Sequence, residues 1–262
     1  MGKKIQIERK DGKTIHADLT QPPTGESKAE APLVIVVNGF PKHKAEGLPF
    51  TTLLIEVMKN LGLSSLEFEF TGSQTTNPDE DQFTLASAAA DMESVFSWVE
   101  ENEYKRVAFI AEGLGAPITF LNLPENATFS ILCWPAFNFQ TAWHDQFQGF
   151  ANQEEMDKKG YSDLDGIIIG AEFMNELQNT DLIPFYHKAH TPTLILHGIE
   201  DKIVPISHLD IARDDLIVPR LVITSFDGGE NGLPDDTHRK TSIHHVTEFV
   251  EKYWNHDQSE ES

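Results

Sequence analysis

The chain has 262 residues, 39% of them hydrophobic, which is enough for one large α/β domain or two small ones and excludes a disordered chain. A net charge of −22, from 42 acidic against 20 basic residues, repels nucleic acid and anionic membranes, and the acids are spread along the chain rather than gathered in a tail. No apolar run approaches the ~20 residues of a membrane span, the N-terminal stretch lacks the apolar core of a signal peptide, and the one cysteine, Cys133, suits a reducing cytoplasm.

Residues 3–20 read as a hairpin, alternating with period two on either side of the turn signal Asp11-Gly12. A polar loop over 21–31 follows, too short to divide domains. Pro32 to Val37 is a continuous β-branched run, the pattern of a strand buried on both faces. Phe50, Leu53, Leu54, Val57, Met58 and Leu61 then follow helical spacing, with Gly62 as the stop. A strand is predicted over Leu66 to Phe70, then a polar loop from Thr71 to Gln82. Leu85, Ala89, Met92, Val95, Phe96 and Val99 share one face of a second helix.

Arg106 to Ala111 is a strand and Leu114 to Leu123 a helix, with Pro117 tolerable in the first turn. Another strand runs from Phe129 to Trp134. The rhythm breaks over 136–190, a stretch rich in aromatic residues, Gln and Asn, which is expected to lie as short helical pieces over one end of the sheet. Thr193 to His197 resumes the strands. A helix from about Ile206, a strand at Leu221 to Thr224 and a helix marked by Ile243, Val246, Phe249, Val250 and Tyr253 complete the pattern. The acidic end, Asp257 to Ser262, is expected to fray. Strands alternating with helices predict a doubly wound, mostly parallel sheet with ligand sites at the C-terminal strand ends.

The strand-to-helix passage Ala111-Glu112-Gly113-Leu114-Gly115 has the shape of a nucleophile elbow, whose consensus is Gly-x-Ser-x-Gly. Its flanking positions are small, as close backbone packing requires, but glycine stands at the centre.

With three further markers in order, the sequence resembles the α/β-hydrolase superfamily, and within it the cinnamoyl/feruloyl-esterase and serine-aminopeptidase-like (monoglyceride-lipase-like) hydrolases. Val37-Asn38-Gly39-Phe40 is similar to the family's strand-end His-Gly-Phe. Phe68 to Ser73 is similar to its Phe-Asp-x-Arg-Gly loop, followed by a long helix containing Asp91. Pro192 to Pro205 is similar to the segment that carries its acid. The resemblance implies one domain over 1–262 with a cap insertion at about 136–190. It also implies a Ser–His–Asp relay, with two backbone N–H groups holding the oxyanion. Asp201 falls on the acid, and Phe40 and Leu114 on the oxyanion donors. Gly113 falls on the nucleophile and Asn231 on the histidine, while Asn38 replaces the strand-end histidine. An amide is not a base near neutral pH, so two of the three acting groups are absent.

Other residues carry bland and sharp readings together. His238 is a candidate base or the opening of the last helix; His244 and His245 read as surface or packing residues of that helix. Cys133 reads as a core residue, with a surrogate nucleophile as the sharper reading. Glu112 reads as solvated or capping, and Asp201 without its histidine as a structural carboxylate. His187 and His190 lack a carboxylate to complete a metal site, and Asp163-Leu164-Asp165-Gly166 lacks the rest of a calcium loop. Trp134, Phe137, Phe139, Trp143, Phe147 and Phe150 read as core, or as the lining of a pocket between cap and sheet, with Trp134 and Trp143 the candidate binding residues.

Two functions are therefore expected. One is a noncatalytic member of the fold that binds a small carbonyl or carboxylate ligand, or a protein partner. The alternative is an active esterase or acyl-peptidase with a substitute catalytic group. No cofactor or metal is implied, and oligomeric state leaves no mark in the sequence.

Overall fold

The computed structural model describes residues 2–23, 32–40, 48–139, 153–164 and 166–255. Strands β1 (Lys3–Glu8) and β2 (Thr14–Thr20) pair antiparallel around Gly12, whose φ of +86° suits a residue without a Cβ. The following strands are β3 (Leu33–Val37), β4 (Ser64–Phe68), β5 (Val107–Glu112) and β6 (Ala127–Cys133). After a separate hairpin of β7 (Tyr161–Leu164) and β8 (Ile167–Gly170) come β9 (Thr193–Gly198) and β10 (Leu221–Phe226). The main sheet has eight strands in the order β1-β2-β4-β3-β5-β6-β9-β10. Every pairing from β4 to β10 is parallel, and β1 and β2 form an antiparallel edge.

The helices are α1 (Phe50–Asn60), α2 (Leu85–Glu101), α3 (Gly115–Leu121), α4 (Gln153–Lys159), α5 (Ala171–Asn179), α6 (Ile183–Tyr186), α7 (His208–Asp215) and α8 (Asp236–Asn255). They cover both faces of the sheet. Leu33, Ile35 and Val37 of β3 pack toward α2, α3 and α7, through Met92, Ile118 and Leu209. Val34 and Val36 pack toward α1 and α8, through Leu54, Met58, Val246 and Val250. Burial on both faces explains the unbroken apolar run of β3. No helix among the described residues is long and apolar enough to cross a membrane.

A buried ion pair ties the edge hairpin to the layer above. Arg9 donates through Nη1 to Asp91 Oδ1 at 2.8 Å, and Asp91 also accepts from Thr71 N at 2.7 Å and Thr71 Oγ1 at 2.9 Å. The long helix of the family-like segment thus anchors the loop after β4. Gly72 turns that loop at φ +82°, where a Cβ would lie 2.6 Å from the backbone of Gln82.

Three differences from the sequence expectation have local causes. Strand β4 ends at Phe68, where its pairing with Val37 ends, and Phe70 instead stacks against Phe68 and Phe83. Helix α8 begins at Asp236, a full two turns earlier than its apolar periodicity marks, because the Asp235 carboxylate caps Thr237 N and His238 N. Within 136–190 the β7–β8 hairpin stands among the helices, and its turn uses Asp163 Oδ1, which accepts from Gly166 N at 2.7 Å. The described part of 136–190 therefore has helices with a hairpin among them, and the Asp163 motif is a turn.

Candidate functional site

The site is built at the C-terminal edge of the sheet, where β5 turns into α3. Gly113 sits at the apex with φ +53°, a left-handed conformation that side chains rarely adopt. Its N–H donates to Cys133 O at 3.1 Å and its carbonyl accepts from Ala136 N at 3.0 Å, so both flanks hold the bend. A Cβ at Gly113 would meet only Gly39 Cα, at 3.9 Å, which is ordinary contact. Gly115 is different: a Cβ there would collide with the Val37 carbonyl and lie 2.8 Å from Asn38 O. The frame thus leaves room for a side chain at the apex and forbids one two residues on.

The loop after β3 lies against this apex through Gly39. Phe40 follows Gly39 and Leu114 follows Gly113, and these are the two residues whose backbone N–H groups are expected to hold an oxyanion. Neither N–H donates a hydrogen bond among the described residues. The Phe40 ring is buried against Phe83, at 4.2 Å between centroids, and Phe173 of α5, at 5.3 Å. Helix α5 is held nearby: its Glu176 carboxylate accepts from Leu85 N and Ala86 N at the start of α2, a favourable place for negative charge.

Asp201 and Asn231 are brought together by the loops after β9 and β10. Asn231 Nδ2 donates to Asp201 Oδ2 at 2.8 Å. The other oxygen, Asp201 Oδ1, accepts from Ile203 N at 2.8 Å and Val204 N at 2.9 Å. Asp201 is thus both a turn-forming carboxylate and the partner of residue 231. The two loops that carry the pair are sewn together: Glu200 N donates to Gly229 O at 2.8 Å, and a Cβ on Gly198 would collide with that carbonyl. Beneath them lies His197, fully buried, with Nε2 at 2.8 Å from Val204 O and 3.9 Å from Asp201 Oδ2. Burial pushes its pKa below the ordinary 6.5, against the pull of the Val204 carbonyl and the Asp201 charge. His197 braces the acid-bearing loop; in the sequence it is merely the last letter of a strand.

Asn38 is buried, and its Nδ2 donates to Glu67 Oε1 at 3.0 Å. Trp134 is buried against Phe50, takes a φ of +39°, and donates through Nε1 to Glu112 Oε1 at 3.1 Å. That places Trp134 in the core beneath the apex, and Glu112 in a hydrogen bond with it. Trp143, Phe147 and Phe150 lie outside the described residues. Phe137 and Phe139 are buried, and with Leu182, Ile183 and Ile211 they border a cavity of about 220 Å³.

Cys133 adjoins the apex through its carbonyl, which accepts from Gly113 N. Cys133 is fully buried, and burial, with the Glu112 charge second, pushes its thiol well above the ordinary range, so it stays protonated. His238 lies in the capped first turn of α8 with its ring 5.4 Å from Phe226. His244 sits beside Glu248 on the exposed side of the same helix. His187 faces Asp215 at 3.6 Å and His190 is exposed; the described residues hold no cluster of ligands suited to a metal.

This doubly wound sheet, with its sharp strand-to-helix apex and an acid on the loop after β9, is the α/β-hydrolase fold. Solved structures that share it include Est1E from Butyrivibrio proteoclasticus, at TM-score 0.78 and 19% identity over 97% of this chain and 99% of that one. Est1E with ferulic acid bound matches at TM-score 0.77 and 19% identity over 95% and 98%. Alpha/beta hydrolase domain-containing protein 10 from mouse matches at TM-score 0.69 and 16% identity over 95% and 99%. No family model and no curated protein matches the sequence.

Proposed function

We propose that the chain is a noncatalytic α/β-hydrolase-fold protein that binds a small carbonyl- or carboxylate-bearing ligand, or a partner, at the apex without turning it over. The observation that carries this is the bond between Asn231 and Asp201 on the sheet edge that also carries a left-handed Gly113. Residue 231 keeps the histidine's contact with the acid but has no basicity, and residue 113 has the apex conformation but no attacking atom. With nucleophile and base gone, oxyanion binding alone gives about 10³–10⁴-fold over water. The unengaged N–H groups of Phe40 and Leu114 support ligand binding. Ferulic acid bound to Est1E, a protein of the same fold, is in keeping with a carbonyl-bearing ligand.

The alternative, an active esterase or acyl-peptidase with a substitute group, draws no support from Cys133, held protonated in the core; the His238 ring packs 5.4 Å from Phe226 and keeps a buried Nδ1 without a hydrogen-bond partner. The lone buried Cys133 suits a reducing cytoplasm.

The test is hydrolysis of p-nitrophenyl acetate by the natural chain and by the double variant Gly113→Ser with Asn231→His. The natural chain is expected to stay far below ~1 s⁻¹, the low end of ordinary enzyme turnover, and the double variant to gain activity. Turnover above that rate by the natural chain would overturn the proposal.

A further inference from the structure

The two edges of the sheet are built differently. At one edge, β1 carries Lys3, Lys4 and Glu8, and charges on an edge strand discourage pairing with a further chain. At the other, β10 reads Leu-Val-Ile-Thr-Ser-Phe and carries no charge. Thr193 N donates to Arg220 O at 2.8 Å and Ile199 N to Phe226 O at 2.9 Å, so the even-numbered residues turn their backbone groups to β9. Those groups alternate along a strand. The N–H and C=O groups of Leu221, Ile223 and Ser225 therefore point away from the sheet, where no strand pairs with them among the described residues.

The ends of this strand complement each other. Arg220 precedes it and Asp227 follows it, both exposed, and neither makes an ion pair among the described residues. Of the large apolar side chains exposed among the described residues, Ile217 (59%) lies just before the strand, and Ile199 (40%) is bonded through its N–H to the strand's last carbonyl. A second copy running antiparallel would bring each Arg220 end to an Asp227 end and each Ile217 end to an Ile199 end. A parallel copy would set like charge on like.

We propose that β10 pairs antiparallel with β10 of a second copy, so that two sheets run on into each other across a two-fold axis. The register follows from the alternation, because directly opposed residues must both face outward to exchange bonds. With Ile223 on the axis, Ile223 opposes Ile223 and Leu221 opposes Ser225, which uses all three outward residues and makes about six backbone hydrogen bonds. Pro219, the next outward position, has no N–H and ends the ladder. In this register each Arg220 lies one position from Asp227 of the second copy. The contact is a short ribbon with an apolar flank at each end, at the small end of stable interfaces, so association in the micromolar range is expected. The pairing makes no use of the apex and stands apart from the noncatalytic reading.

The experiment is sedimentation velocity on the full chain across the micromolar range. A 29.4 kDa species is expected to give way to one of twice that mass as concentration rises. Arg220→Asp alone and Asp227→Arg alone are each expected to weaken association about ten-fold, and the two together to restore it, because only a partner with the same exchange returns opposite charges to each end. Ser225→Pro removes an outward N–H and no bond to β9, and is expected to leave a monomer with the circular-dichroism melt of the natural chain; should that variant unfold, the exposed charge exchange carries the test alone. A single 29.4 kDa species at every concentration would overturn the proposal. So would a dimer indifferent to all these changes, which would place the contact elsewhere. Loss in the single charge variants without recovery in the double one would overturn the antiparallel register.

Discussion

Two glycines two positions apart, Gly113 and Gly115, should answer substitution very differently. At Gly113 an added methyl meets only Gly39 Cα at 3.9 Å, so the penalty is conformational: φ is +53°. Holding an L-residue in the left-handed region costs about 1–2 kcal/mol, and the reduced freedom of the unfolded chain returns about 0.4–1 kcal/mol. Gly113→Ala should thus cost about 1 kcal/mol. At Gly115 the methyl would drive into the Val37 carbonyl and lie 2.8 Å from Asn38 O, both backbone atoms of a central strand and its end. Neither can rotate aside, so α3 must move off β3, and Gly115→Ala should cost about 3 kcal/mol or more. For a chain of this size that converts to about 2–4 °C of melting temperature for the first variant and about 6–12 °C for the second. Circular-dichroism melts of the two variants beside the natural chain measure it. Melting temperatures within about 2 °C of each other would refute the close approach at residue 115, and with it the elbow geometry.

Arg9→Met should destabilise the fold by about 3–5 kcal/mol in urea titrations, because it strands the buried Asp91 carboxylate. Adding Asp91→Leu should cost less than the sum of the two single changes, and strict additivity would argue against the pair. The depressed pKa of His197 means that, below its ordinary 6.5, the unfolded chain takes up protons that the folded chain refuses. Stability should then fall as pH drops from about 6.5 toward the lowered folded value; the pH slope of the urea midpoint in that window should flatten in His197→Gln, and an unchanged slope would exclude a buried neutral imidazole. Asp201→Ala removes an acceptor shared by Ile203 N, Val204 N and Asn231 Nδ2, and should lower stability by about 3 kcal/mol; an unmoved midpoint would mean that the loop does not depend on the carboxylate.

Much of the architecture was legible because the forces that make it are local. The β-branched run of β3 and the helical spacing of α1 and α2 survive folding unchanged. The β7–β8 hairpin was not legible: Ile167-Ile168-Ile169 has no alternation, and a short apolar run does not separate strand from helix. Phe70 looked like strand because only tertiary packing, against Phe83, takes it out of the sheet. At the site, the meeting of residues 201 and 231 followed from the family-like segments. The orientation of their amide and carboxylate did not, and neither did the Asn38–Glu67 bond, which joins two strand ends that nothing in the sequence brings together. Trp134, read as core or as pocket lining, packs in the core, where at a φ of +39° just past the end of β6 its indole bonds Glu112.

On the proposed noncatalytic reading, Gly113 and Asn231 also suit the structure around them. In a working relay the histidine does two things for the acid: it shuttles a proton, and it donates an N–H that keeps a nearly buried carboxylate paired. Asn231 gives up the first and keeps the second, at 2.8 Å, so Asp201, 5% exposed, is never left as an unpaired charge. An aliphatic residue there would have stranded it. At the apex, any side chain holds a left-handed conformation at a conformational cost, and catalysis is the reason to bear it. Glycine removes that cost while the bonds to Cys133 O and Ala136 N keep the bend in place. Both substitutions therefore preserve the backbone that presents the Phe40 and Leu114 N–H groups.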